Sequence, residues 1–368
     1  MIPRANTLEK RQVLMSQKKI RVGVIGMGNI GGMHAGSIRR HPDCELAAFF
    51  DPNPQSMANA RASFPDARAC ESPTDVLDTP GIKAVVIATP NNVHAEYTIA
   101  AARRGMHVLC EKPLAMNGRQ ARQMVAAIKG KRLVGMTNFS YRWVPSFRLA
   151  RDLVRDGRFG KIHRLHIKYL QSWLRDPEGP LVWRNVKKLA GFGALGDLGS
   201  HMIDAARFVT GAEPRRVVGV HHVHVPFKVD PTTGKREEVT TDTDAQFMID
   251  FGSFVGMFET SQVEPAHGNH FVVSLGAENG SCRLSSEDQD ALEIALGDPY
   301  ATHATWTTCL PRTVIPSDYR VGGGCIRDFV LAIQRKLRDY PSFADGSVVQ
   351  EVLDGILRSS VTGRWEPV

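Results

Sequence analysis

Short, nearly continuous apolar runs recur through the first third of the chain: IRVGVI (20–25), ELAAFF (45–50), AVVIA (84–88), HVLC (107–110) and RLVGM (132–136). Strands buried on both faces read this way. Between them, VHAEYTIAAARRG (93–105) and GRQARQMVAAIKG (118–130) carry helical patterns, and each ends in the Gly that commonly closes a helix. Such alternation predicts βαβ units and a parallel, doubly wound sheet. After about residue 140 the rhythm changes. A helix, RLARDLVRDG (148–157), is followed by period-2 runs in HRLHIKYLQSW, RRVVGVHHVHV, DAQFMIDF, SFVGMFETSQV and HFVVSLGA. They predict a second domain built on one open, mostly antiparallel sheet. Two closing helices are expected at roughly 323–338 and 346–361, packed near the end of the second domain or back on the first.

One segment between those strands is different. In GALGDLGSHMIDAARF (193–208), Asp197, His201 and Asp204 fall at i, i+4 and i+7, one stripe of a helix. Leu198, Met202, Ala205 and Val209 form the neighbouring apolar stripe. The polar stripe is either a solvated face or the wall of a site. Gly196 and Gly199 weaken a helix start by up to about 1 kcal/mol each, which makes sense where something approaches the backbone closely.

Composition narrows the class. The 368 residues are 42% hydrophobic and 23% charged, ordinary for a globular protein of two domains. No apolar run approaches the roughly 20 residues of a membrane helix. Residues 1–18 lack the apolar core of a signal peptide and read as a disordered leader, with Met15 as an alternative start. Six cysteines without a CxxC pair indicate neither a zinc ribbon nor a disulfide framework, and a cytoplasmic location follows as the simplest expectation. The net charge of +8 is spread along the chain without aromatic interleaving, so an anionic small cofactor is favoured over nucleic acid or membrane.

GMGNIG (26–31) follows a strand and opens a helix. In that setting Gly26 makes the turn, Gly28 lets a pyrophosphate reach the backbone, and Gly31 packs helix on strand. Asn29 and Ile30 begin the helix whose free N–H groups face the phosphates. Asp51, twenty residues beyond Gly31, can accept both ribose hydroxyls of NAD and would repel the 2′-phosphate of NADP; it is equally placed to start a turn before Pro52. ATPNNVH (88–94) and CEKPLA (110–115) stand at C-terminal strand ends, where open parallel sheets bind ligands. Lys112 is therefore set where a nicotinamide and its substrate would meet, and the following proline admits a cis bond.

GMGNIG, Asp51, ATPNNVH, CEKPLA and GALGDLGSHMID, in this order and spacing, with the late PSFADG (341–346), resemble the glucose–fructose oxidoreductase / inositol dehydrogenase / MocA family over nearly the whole chain from residue 19. The resemblance implies an NAD-binding Rossmann domain (19–140) followed by an α+β domain (141–368) with an open, mostly antiparallel sheet for substrate binding and oligomerisation. It implies cofactor contacts from Gly26, Gly28, Asn29, Ile30, Gly31, Asp51, Thr89, Asn91, His94, Glu111, Trp183 and Arg184. By the same resemblance Lys112 contacts the reacting hydroxyl, Asp197 and His201 are the catalytic Asp and His of the family's D-x-x-x-H helix, with His201 as the general base, and Asp204 is assigned to structure or to orienting its neighbours. YLQSW (169–173) and WRNVKKLAGFGALGD (183–197) look most like the levoglucosan dehydrogenase and sugar 3-dehydrogenase branch, which implies substrate contacts from Tyr141, Gln171 and Trp173.

The chemistry is coherent on its own terms. Oxidising a secondary alcohol with NAD⁺ removes a proton from oxygen and a hydride from carbon; an imidazole suits the first step, an ammonium stabilises the developing oxyanion, and no metal is required. Asp197, a turn from His201, is expected to bind a neighbouring hydroxyl and favour the imidazolium. His222 and His224 in HHVHV share a strand face, yet lack a third nearby ligand and read as polar sheet surface. The expected function is an NAD-dependent dehydrogenase of a neutral sugar, anhydrosugar or cyclitol, acting as a homodimer or homotetramer. A glycosidase that oxidises its sugar transiently with bound NAD, and a non-catalytic NAD-binding regulator, are the alternatives.

Overall fold

The computed structural model describes residues 19–287, 291–297, 305–309 and 324–368; the leader, Met15 and the start of the first closing helix lie outside them. The first sheet is built from β1 (Ile20–Ile25), β2 (Cys44–Phe50), β3 (Arg68–Ala69), β4 (Ala84–Ile87), β5 (His107–Cys110) and β6 (Gly135–Thr137), interleaved with α1 (Asn29–Arg40), α2 (Pro54–Ser63), α3 (Pro73–Leu77), α4 (His94–Arg103) and α5 (Gly118–Ile128). All its pairings are parallel, in the order β3-β2-β1-β4-β5-β6. The apolar runs explain why. Val22, Val24, Val86 and Leu109 point into one buried cluster, while Val85, Ile87, Val108 and Cys110 point into another on the opposite face. A strand flanked by helices on both sides has no wet face to mark by alternation. Gly105 and Gly130 adopt positive φ just past α4 and α5, as their positions predict. Two-residue β3 went unpredicted because it is too short to carry a pattern.

The second half contains α6 (Pro145–Arg155), β7 (Ile162–Leu170), α7 (Lys187–Ala190), α8 (Ser200–Thr210), β8 (Arg216–His222), the hairpin β9 (Phe227–Val229) and β10 (Arg236–Glu238), β11 (Asp244–Asp250), β12 (Val255–Ser261), β13 (His270–Ala277), β14 (Gly280–Ser285), β15 (Leu292–Leu296) and β16 (Thr307–Cys309). The chain closes with α9 (Gly324–Ile333), α10 (Phe343–Thr362) and β17 (Glu366–Pro367). Among the described residues, nine strands form one sheet, β16-β15-β14-β13-β7-β12-β11-β8-β17, antiparallel except where β12 runs parallel to β7. Leu165, Ile167, Phe247, Phe258, Phe271 and Val273 bury one face, joined there by residues of α6, α8 and α10. The other face carries exposed Val220, Met248, Val255 and Met257.

The closing helices return to both halves. Ile326, Phe329 and Val330 of α9 enter the core beside α1. Phe343 of α10 is fully buried in the first-sheet core, while Val349, Val352, Leu353 and Ile356 of the same helix join the second. Its start is fixed by a capping box: the Ser342 hydroxyl accepts from the Asp345 N–H, and the Asp345 carboxylate accepts from the Ser342 N–H at 2.8 Å.

Candidate active site

The loop between β1 and α1 shows three separate uses of glycine. Gly26 has φ +93°, a conformation ordinary side chains avoid, and a Cβ there would meet the Ala88 carbonyl oxygen at 2.4 Å. A Cβ on Gly31 would lie 1.8 Å from the Gly26 carbonyl oxygen. Gly28 has nothing within 4 Å of a built Cβ, so its backbone faces open space. Helices α2, α3, α5 and α10 all have their first N–H groups satisfied by a side-chain cap. Helix α1 has none, which leaves its N–H groups and partial positive charge turned toward the same space.

That space is a cavity of about 1220 Å³ at the C-terminal ends of the first sheet. Gly26, Gly28, Asn29, Ile30, Asp51, Thr89, Asn91, Glu111, Lys112, Trp183, Arg184 and His201 line it. Asp51 starts the turn that its place before Pro52 suggested. One carboxylate oxygen accepts the Met27 N–H at 2.6 Å and the other the Asn53 N–H at 2.8 Å, while the residue also faces the cavity. Open glycine backbone, an uncapped helix start and a carboxylate at the end of β2 fit a dinucleotide.

Two expected cofactor residues lie elsewhere. Gly31 is spent on packing α1 against its own loop. His94 is fully buried, with one ring nitrogen 3.0 Å from the Thr89 carbonyl and the other 3.1 Å from that of Pro113. It ties the two strand-end loops together behind the cavity wall. The Lys112–Pro113 bond is cis.

At the far end of the cavity, Lys112 Nζ donates to Asp197 Oδ1 at 2.7 Å and to the Asp197 carbonyl at 2.8 Å. The same carboxylate accepts from Gln262 Nε2 at 2.9 Å and lies 3.4 Å from Arg184 Nε. Burial opposes its charge, but Lys112 and Arg184 hold Asp197 far below the usual carboxylate range. His201 is buried and its Nδ1 has no hydrogen-bond partner among the described residues. Burial first, and the Lys112 charge second, push its pKa down to about 3 despite Asp197. Asp197 favours the imidazolium, as expected, but burial and the Lys112 charge outweigh it, and His201 is held as neutral imidazole.

The segment bearing these groups is not one regular helix. Leu195–Gly199 form a π turn that runs into α8. Such turns often occur at functional sites. The Asp242 carboxylate accepts the Gly193 and Leu195 N–H groups at 2.7 and 2.6 Å and fixes the turn. The small residues are required by the protein itself: a Cβ on Gly196 would meet the Phe192 Cβ at 2.6 Å, and one on Gly199 the Leu195 side chain at 3.3 Å. Asp204 leaves the site and takes Arg142 in a bidentate pair at 2.6–3.1 Å, both groups buried. The polar stripe thus turns inward, with Asp197 half-buried and His201 and Asp204 buried, and divides between site and scaffold.

Tyr141, Gln171 and Trp173 lie outside the cavity lining but belong to one hydrogen-bonded chain. The Tyr141 ring packs edge-on against His201, centroids 5.1 Å apart. Its hydroxyl is 2.8 Å from that of Tyr169, which donates to Asn269 Oδ1 at 2.8 Å. Gln171 Nε2 donates to the same oxygen, and Trp173 Nε1 to Gln171 Oε1, each at 2.8 Å. Sequence reasoning missed Tyr169, Asn269 and Gln262. Tyr169 shares strand parity with Gln171 and Trp173, a signal that was present; the other two are loop residues with no local signature. Of the histidine pair, His222 ends β8 and His224 lies beyond it, so the two do not share a strand.

Against this geometry the comparisons are decisive. Residues 20–139 match the model of the oxidoreductase family with an NAD-binding Rossmann fold, and residues 147–280 that of the GFO/IDH/MocA C-terminal domain. Levoglucosan dehydrogenase of Pseudarthrobacter phenanthrenivorans is 31% identical over 95% of this chain and 98% of its own length. The chain belongs to the GFO/IDH/MocA oxidoreductase family. Inositol 2-dehydrogenase of Rhizobium meliloti is 26% identical over 92% of this chain and 96% of its own. A solved levoglucosan dehydrogenase in complex with NADH and L-sorbose superposes with a TM-score of 0.87 at 31% identity, over 95% of this chain and 99% of that one. The first domain is thus an NAD-binding Rossmann domain, and named relatives of this GFO/IDH/MocA protein are sugar and polyol dehydrogenases.

Proposed function

We propose that this chain oxidises a secondary hydroxyl of a neutral, hydroxyl-rich ring (a sugar, anhydrosugar or cyclitol) with NAD⁺. One observation carries the reading: Lys112 Nζ is fixed by Asp197 at 2.7 Å at the end of the dinucleotide cavity that neutral His201 also lines. NAD⁺, when bound, supplies the hydride acceptor. Lys112 stabilises negative charge growing on the substrate oxygen, and Asp197 together with Gln262 aims the ammonium. His201 is ready to take the hydroxyl proton because burial keeps it neutral at physiological pH. Trp183 and Arg184 border the nicotinamide end, with the guanidinium carbon 4.3 Å from the indole centroid.

Tyr141, Gln171 and Trp173, with Tyr169 and Asn269, form the substrate wall; an aromatic edge with amide and hydroxyl partners suits an uncharged ring. Asp51 at the ribose end favours NAD over NADP. Among the described residues no helix is long and apolar enough to cross a membrane. The exposed apolar residues Val220, Met248, Val255 and Met257 on the open face of the nine-stranded sheet support assembly into a homo-oligomer.

The test is NADH absorbance across a panel of sugars, anhydrosugars and cyclitols, with NAD⁺ and NADP⁺ in parallel and Lys112→Ala as control. Net NADH formation with NAD⁺, lost in the variant, is expected. Tight NAD binding without net NADH on any free sugar would overturn the dehydrogenase reading in favour of the glycosidase or the regulator.

A further inference from the structure

A second constellation lies in the cavity wall, running from Glu111, the neighbour of Lys112, to Cys325. Cys325 opens α9 and lines the cavity with Gly324 and Ile326. Its Sγ is 3.3 Å from His34 Nδ1 on α1. His34 Nε2 is 2.7 Å from Glu111 Oε1, which also accepts from Asn138 Nδ2 at 2.5 Å. Thiol, imidazole and carboxylate thus stand in line, each within reach of the next. The Glu111 carboxylate accepts from Nε2, and with His34 held as imidazolium Nδ1–H faces the Cys325 sulfur. A thiolate nucleophile, the cation that stabilises it and the carboxylate that orients that cation have this arrangement.

The other five cysteines are buried, whereas Cys325 is partly exposed. Nothing in the alcohol oxidation described above uses a thiol. The groups facing the pair from other elements are His34 and Glu111, with Lys112 behind Glu111. On α9 itself, Asp328 is engaged by Trp143 and Arg148. Burial alone would depress the imidazole, but Cys325 and Glu111 outweigh it and raise His34 to about 10.

We propose that Cys325 is a site of reversible thiol modification by low-molecular-weight disulfides, and that the adduct closes the cofactor cavity. In the step, the Cys325 sulfur, as the thiolate beside the His34 imidazolium, attacks one sulfur of the disulfide. A new S–S bond forms as the old one breaks, and the other half of the disulfide departs as a thiolate. No external oxidant is consumed. The adduct projects beside Ile30 and Met33 of the first turns of α1, against the space the dinucleotide occupies; this consequence rests on the proposed cofactor reading.

The native protein is treated with dithiobis-nitrobenzoate, and release of the coloured thiolate is followed with and without saturating NADH. One thiol per chain is expected to react in a fast phase, mapped to Cys325 by mass spectrometry and absent in Cys325→Ser. His34→Gln slows that phase about tenfold or more at neutral pH, because an unassisted cysteine is mostly protonated there. NADH protects Cys325, and the modified protein loses NADH fluorescence binding until a dithiol reductant restores it. A fast phase mapped to another cysteine, or Cys325 reacting no faster than a denatured-chain thiol, overturns the proposal. Both readouts use the native chain, so a misfolded His34 variant does not blunt them. Fast, His34-dependent labelling in a protein whose unmodified form fails to bind NADH would instead overturn the cofactor reading and the gating, leaving the reactive thiol standing.

Discussion

At the scale of single residues, the site separates charge from basicity. Lys112 and Arg184 hold the charge of Asp197; that charge raises His201, but burial and Lys112 outweigh it and leave the imidazole neutral. The sign of the pH dependence follows. A base with a free-enzyme pKa near 3 is already deprotonated at mildly acidic pH. The kcat/KM for sugar oxidation is therefore expected to show no histidine titration between about pH 5.5 and 7.5. An acid limb near the ordinary histidine value that disappears in His201→Asn would contradict this. Asp51 carries a second prediction. Replacing it with Ala removes the partner of the ribose hydroxyls and the repulsion of a 2′-phosphate, so the NAD⁺-to-NADP⁺ ratio of kcat/KM should fall by about tenfold or more, a change of ~1.4 kcal/mol. The Met27 N–H also loses its acceptor, so part of the loss in NAD⁺ affinity will come from the loop itself.

At the scale of elements, the segment from Gly193 to Thr210 shows what a helical pattern conveys and what it hides. The stripe of Asp197, His201 and Asp204 was legible from spacing alone, and its membership in a site followed from the neighbouring motifs. The π turn was not legible, because it is imposed by Asp242 from another part of the chain. Nor was the partner of Asp204. Arg142 lies 62 positions away, and only packing of the turn Ser140–Trp143 against α8 brings the pair together. Asp204→Ala leaves Arg142 buried with the more distant Asp345, at 3.3 Å, as its remaining counter-ion. Breaking a buried pair from one side is costly, so we expect a loss of about 3 kcal/mol, measured by denaturant unfolding. A change below about 0.5 kcal/mol would mean that the pair adds no more than an exposed one.

At the scale of the whole molecule, α10 is the element that makes one unit of two sheets. Phe343 fills the first core while Val352 and Ile356 fill the second, so Phe343→Ala should destabilise the chain by about 3–5 kcal/mol. The nine-stranded sheet exposes Val220, Met248, Val255 and Met257 on its other face, beside the ion pairs of Glu259 with His166 and Lys168. Met248 stands directly across from Met257 in the β11–β12 register, with Val255 two residues further along the strand. A charge at Met257 is expected to weaken self-association, and light scattering on Met257→Glu against the unaltered chain measures it. An unchanged mass would direct attention to another surface.

The sequence by itself determined the parallel first sheet, the dinucleotide loop, the strand ends bearing Lys112 and the helix bearing His201. These rest on local rules: apolar runs report burial on both faces, glycines report backbone that must turn or open, and helical spacing reports a shared face. Tertiary structure alone decided what those groups do to one another. The pairing of Lys112 with Asp197, the neutral state of His201, the Tyr141–Tyr169–Asn269 chain and the Cys325–His34–Glu111 line join residues between 28 and 291 positions apart. Charge state and orientation depend on distance and burial in three dimensions, and no periodicity along one dimension encodes them.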